Sequence, residues 1–241
     1  NSFSAHILFY FYFRYIAIKS LLFSDCKGTK AMPLYKTITV TPTIRIYIWK
    51  VTESESELAE GIHLTLVCKD RMLGMKSEQH RKGFLSIRHL LAEAGYVDHD
   101  LFYDEVGKPH LKDGNHISIT HSHDFTGVII SLTDEVGIDI EMQREKILRI
   151  AHKFTPIEEY KTLANVEAII RKLTIVWGAK ESLYKIYAQK GLSFFHHIDV
   201  KEFNLEDDET IAEILYHGKN SSYSIDFLEF EGYTCVYAIK L

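Results

Sequence analysis

The sequence predicts an α+β fold built from two similar α+β halves in one chain, meeting near Val136. Period-two alternation flanks two stretches of helical periodicity, in the order strand–helix–strands, given twice. No Gly/Ser-rich linker divides the chain, so the halves are expected to pack tightly. At 241 residues, 46% apolar and 25% charged, the chain can bury one sizeable core or two packed ones.

The first strand is expected over Thr43–Lys50, where Ile44, Ile46 and Ile48 alternate with Arg45, Tyr47 and Trp49. An acidic stretch, Glu53 to Gly61, opens a helix after Thr52 or Ser54. Ser77 to Ala94 reads as a helix with Phe84, Ile87, Leu90 and Leu91 at helical spacing and Gly95 as its stop. Gly107-Lys108-Pro109-His110 reads as a turn with an extended exit, because proline biases Lys108 away from helix. Ile117–Thr120 alternates, Val128–Leu132 is continuously apolar, and Asp134-Glu135 turns the chain into Gly137–Glu141. A short helix is expected over Phe154–Tyr160, beginning near Thr155. A long one follows over Val166–Gln189, with Gly191 as its cap. The tail alternates over Ile198–Phe203, Ile211–Tyr216, Tyr223–Phe230 and Tyr233–Lys240.

Residues 1–31 differ in composition: an aromatic and aliphatic run, Ile7 to Phe13, is followed by Arg14 and Lys19. The run is too short and too charged for a good spanning helix and lacks the basic start of a signal peptide. With Met32 as the first methionine, the expectation is a start at Met32 and a non-native or artefactual extension before it. The domains then read as residues 32–135 for the first half and 136–241 for the second. The formal charge of −5 argues against a general nucleic-acid binder. Residues 1–31 carry a net +3, which leaves −8 for the remainder. Cys26, Cys68 and Cys235 are odd in number and widely spaced, which fits a reducing cytoplasm better than a disulfide framework or a zinc site.

The chemistry concentrates in two runs. In Gly137-Ile138-Asp139-Ile140-Glu141 the alternation sends both carboxylates to one face of a strand. In the segment Trp177 to Lys185, Glu181 and Lys185 lie one turn apart on the same side of a helix. Three carboxylates and two lysines, Lys180 and Lys185, suit a magnesium ion and a phosphate-rich ligand if they converge.

These residues resemble the 4′-phosphopantetheinyl transferase superfamily. Its signature pairs a G-[IV]-D-[IV]-E strand with a helical W-x-x-K-E-[AS]-x-x-K segment some forty residues on, and both are intact here. Phe154 and Glu158 resemble its F-x-x-x-E element, and Lys190-Gly191-Leu192-Ser193 its K-G-L-S element. Gly107-Lys108-Pro109 resembles its G-K-P turn, and Ser118 to Ser122 its S-H-S-like strand end. About 210 residues after Met32 resemble the fused, pseudo-dimeric type.

The resemblance implies a pseudo-twofold fold and transfer of the phosphopantetheine arm of coenzyme A to a serine of an apo carrier protein, releasing adenosine 3′,5′-bisphosphate. It implies Mg²⁺ held by Asp139, Glu141 and Glu181, with Glu181 as base and Lys185 stabilising or protonating the leaving phosphate. Lys180 would bind phosphate oxygens, while His121 and Lys108 would contact the nucleotide phosphates. Arg81 and Arg88 resemble a basic helix facing the 3′-phosphate. Trp177 and Phe154 read as core anchors, Trp177 at helical spacing from Leu173 and Val176. The implied partners are acyl, peptidyl or polyketide carrier domains, for a monomer without nucleic-acid or membrane partners. Two rivals are a non-catalytic coenzyme A or carrier-binding module on the same fold, and a Mg²⁺-dependent diphosphate hydrolase.

Overall fold

Leu34–Thr41 (β1) and Ile44–Lys50 (β2) make a hairpin whose turn is tied by the Thr43 backbone N–H donating to Thr41 Oγ1 at 3.2 Å. The structure, a computed structural model, describes residues 34–161, 163 and 165–241. The expectation for residues 1–31 lies outside those residues. Leu34–Leu241 form one compact unit.

With His116–Ser122 (β5) and Phe125–Ser131 (β6), the hairpin completes an antiparallel four-stranded sheet, ordered β1-β2-β6-β5. Leu101–Tyr103 (β3) and Pro109–Leu111 (β4) form a separate small hairpin around the Gly107-Lys108 turn. Val136–Met142 (β7), Ile198–Val200 (β8), Glu209–Tyr216 (β9), Lys219–Phe230 (β10) and Tyr233–Lys240 (β11) form the second sheet, ordered β7-β11-β10-β9-β8. Both β5 and β7 are therefore edge strands.

Glu55–Ala59 (α1) starts at Ser54, whose hydroxyl and the Glu57 carboxylate cap each other's backbone. Leu66–Leu73 (α2) is a helix the sequence reading did not anticipate; Thr65 caps it, with its side chain accepting from Cys68 N–H. Glu78–Glu93 (α3) covers the first sheet: Trp49 of β2 stacks on His89 at 5.2 Å, and Ser86 Oγ meets Thr126 Oγ1 at 2.9 Å. The opposite face of β2, Ile44, Ile46 and Ile48, packs with Ile138, Ile140, Cys235 and Tyr237 of the second sheet in one apolar cluster.

Val166–Tyr187 (α5) covers the other face of the second sheet, with Leu173, Val176, Ala179 and Leu183 packed among Ala212, Ile225 and Val236. The helix ends on Ala188 in the left-handed conformation, φ 49°, three residues before the expected Gly191 cap. Two further differences concern the approach to α5 and its exit. Phe154–Tyr160 is not an α-helix but a 3₁₀ turn over Ile157–Glu159, preceded by an unanticipated Lys146–Ile150 helix (α4). Pro156 explains the shift: it sits extended at ψ 147° and delays the turn. After the Phe194–His197 helix (α6), the strand expected over Ile198–Phe203 stops at Val200. Among the described residues, no helix is long and apolar enough to cross a membrane.

Candidate active site

The site forms where α5 lies unusually close to β7. Two glycines make that approach possible: a Cβ on Gly137 would stand 2.1 Å from Ser182 O, and one on Gly178 would stand 2.7 Å from Val236 Cγ2. Ser182 Oγ fixes the distance by donating to Val236 O at 3.1 Å. The glycine opening the acidic strand and the one after Trp177 thus serve the same purpose: they let the helix face carrying Glu181 and Lys185 reach the strand face carrying Asp139 and Glu141.

Lys185 Nζ donates to Asp139 Oδ1 at 2.8 Å and to Ile138 O at 2.7 Å. Thr120 Oγ1 of β5 donates to the same Oδ1 at 3.2 Å, and Ser122 Oγ donates to Glu141 Oε2 at 3.4 Å. Asp139 is buried, and its Oδ2 has no hydrogen-bond partner. Burial, then the charge of Asp139, pushes the Glu141 pKa upward, against the Trp177 indole, Arg144 and Lys185. Burial and Asp139 likewise push Glu181 up to about 7, with Lys185 opposing and Glu141 reinforcing. The three acids share one strained electrostatic field.

Among the described residues, no three Asp, Glu, His or Cys side chains converge closely enough to cage a metal unaided. The donor set nevertheless fits a hard cation that keeps waters and shares substrate oxygens: all-oxygen ligands, mutual repulsion, and an orphaned buried carboxylate oxygen.

Beside this cluster lies a cavity of about 660 Å³ between α3, β5, the Tyr103–Pro109 turn and the end of α5. Lys185 lines it, which joins cavity and carboxylates into one site. Lys108 and His121, both singled out from sequence, are on its wall. Lys108 Nζ reaches across the turn to donate to Ile186 O at 2.6 Å, and burial lowers its pKa. Desolvation first, then His80 and Lys185, lowers the pKa of His121, although the residue is exposed at the pocket rim. Arg71, His80 and Lys190 also line the cavity. The sequence reading did not assign them: Arg71 lies on the unanticipated α2, His80 is one of 13 histidines, and Lys190 was only a motif element.

Three expected ligand contacts are placed otherwise. Lys180 points away from the carboxylates, and its Nζ donates to Phe154 O, Phe194 O and Ile198 O at 2.5, 2.8 and 2.8 Å. Burial lowers its pKa to about 8. One position separates it from Glu181, and the 100° step per helical residue turns it into the core side. It organises the loops flanking α5 instead of meeting phosphate. Arg88 lines the cavity but is buried and ion-paired with Asp98 at 2.9 Å. Asp98 also accepts from Thr65 N–H, so this pair locks the start of α2 to α3. Arg81 is bound by Glu55 through Nε at 2.9 Å. Trp177 and Phe154 do pack together, ring centroids 5.1 Å apart.

No curated protein matches the chain significantly. Residues 135–238, which hold Asp139, Glu141, Glu181 and Lys185, match the family model of the 4′-phosphopantetheinyl transferase superfamily. The matched segment is 104 of the 241 residues, and it carries all four of those side chains, so over that segment the chain is similar to the 4′-phosphopantetheinyl transferase superfamily.

Proposed function

We propose that the protein is a Mg²⁺-dependent holo-carrier-protein synthase of the fused type, with residues 32–135 and 136–241 as its two halves. It would act as a cytoplasmic monomer, moving the 4′-phosphopantetheine arm of coenzyme A onto a serine of an apo acyl, peptidyl or polyketide carrier. The observation that carries this reading is the junction at Lys185, which holds Asp139 while lining a cation-rich cavity sized for a nucleotide.

Asp139, Glu141 and Glu181 are the residues that would hold Mg²⁺; when bound, it would supply Lewis-acid withdrawal of charge from the coenzyme A diphosphate. Lys108, His121 and Lys185 line the wall on which the nucleotide phosphates would rest. Glu181 would accept the proton of the carrier serine, whose oxygen then bonds to the β-phosphorus. The bond from that phosphorus to the bridging oxygen breaks, and adenosine 3′,5′-bisphosphate departs with Lys185 beside the charge it gains. Lys180 has no part in this scheme.

The test is an intact-mass assay with coenzyme A, an apo acyl carrier protein and Mg²⁺, with and without chelator. The carrier is expected to gain one phosphopantetheine, and the gain to vanish with chelator. Asp139→Ala should abolish transfer with the circular-dichroism spectrum unchanged. Tight coenzyme A binding with no mass gain on several carriers would refute a transferase.

A further inference from the structure

Edge strands β5 and β7 run side by side without a shared backbone ladder. Hydroxyls fill the gap. Ser118 Oγ accepts the Ile138 N–H at 3.2 Å, and Thr120 Oγ1 accepts the Ile140 N–H at 3.0 Å. The Thr120 hydroxyl then donates its one proton to Asp139 Oδ1. Ser118, Thr120 and Ser122 alternate along β5, so all three hydroxyls face the strand that carries the acids.

We infer that Thr120 is a positioning residue: it fixes the Asp139 carboxylate from the opposite half of the fold, leaving Oδ2 free for a cation. Geometry carries the inference. Thr120 is 3% exposed and grips β7 at two consecutive residues, accepting from the backbone of Ile140 and donating to the side chain of Asp139. Lys185 holds the same oxygen from α5, so Oδ1 is saturated by two donors while Oδ2 has none. A carboxylate clamped through one oxygen cannot rotate without breaking both bonds. The first half thus takes part in cation binding without contributing a charged ligand. The cation itself belongs to the transferase reading above, on which this inference rests.

Thr120→Val keeps the shape and removes both hydrogen bonds, whereas Thr120→Ser retains them. Each variant is compared with wild type for melting temperature, coenzyme A affinity in EDTA, and the MgCl₂ concentration giving half-maximal carrier modification. The rise in melting temperature on adding MgCl₂ with coenzyme A is read independently of turnover. For Thr120→Val the half-activating MgCl₂ concentration should rise roughly tenfold or more, in line with a lost charge-assisted hydrogen bond. Its MgCl₂-induced thermal shift should shrink, and its coenzyme A affinity in EDTA should stay within about twofold, since Thr120 reaches Asp139 rather than the nucleotide wall. Thr120→Ser should restore both metal readouts. Should the valine variant not fold, Thr120→Cys, with its weak donor, carries the same expectation. Wild-type metal dependence in the valine or cysteine variant, or equal impairment in the serine variant, would overturn the inference. If wild type transfers nothing, the transferase reading falls, and the thermal shift alone still decides whether Thr120 sets the cation site.

Discussion

Replacing Glu181 with glutamine should stabilise the metal-free protein while abolishing its proposed activity. The Glu181 carboxyl is raised from 4.5 to about 7 by burial and by the neighbouring Asp139 and Glu141 charges. A carboxyl with a raised folded-state pKa keeps its proton in the fold after losing it in the unfolded chain. Stability therefore falls as pH rises from about 4.5 to about 7 and stays reduced above that. The rise from 4.5 to about 7 sets a ceiling of roughly 3.4 kcal/mol. Glu181 is only partly buried, so solvent screening brings the expected penalty to about 1–2 kcal/mol. Glutamine matches the shape of the protonated acid and never ionises. Urea unfolding in EDTA should show Glu181→Gln more stable than wild type by about 1–2 kcal/mol at pH 8 and by a few tenths at pH 5. Adding MgCl₂ and coenzyme A should stabilise wild type and close the gap. A pH-independent difference, or a destabilised variant at pH 8, would refute the account of the clustered acids.

Lys180→Met should destabilise the fold by about 3 kcal/mol, because three carbonyls lose their shared donor. Coenzyme A affinity of the folded fraction should remain unchanged by calorimetry; weaker binding with an unaltered melting temperature would restore a phosphate-contact role. Gly137→Ala should cost roughly 3 kcal/mol or more, since its Cβ would sit 2.1 Å from the Ser182 carbonyl and force α5 off β7. Carrier modification should fall with it, and a melting temperature within a degree of wild type would contradict the close approach.

The sequence alone determined the local features of this protein. Period-two alternation marked β2, β7, β9 and β11, and helical spacing marked α3 and α5, because side-chain direction follows backbone period whatever the surroundings. It also marked the four residues that meet: the alternation put Asp139 and Glu141 on one face, and one helical turn aligned Glu181 with Lys185. The tertiary structure decided the rest, since charge on a helix does not reveal which way it is turned. Arg88 and Lys180 looked like phosphate ligands by charge and position. Their partners, Asp98 and the carbonyls of Phe154, Phe194 and Ile198, come from other elements, and only packing shows that those sites are already taken. Thr120 lies within the Ser118–Ser122 strand end that the sequence marks, but its role does not show there, because a threonine on a strand is ordinary until a second edge strand is laid beside it. Contacts between elements depend on how closely backbones approach, and here that distance is set by Gly137 and Gly178.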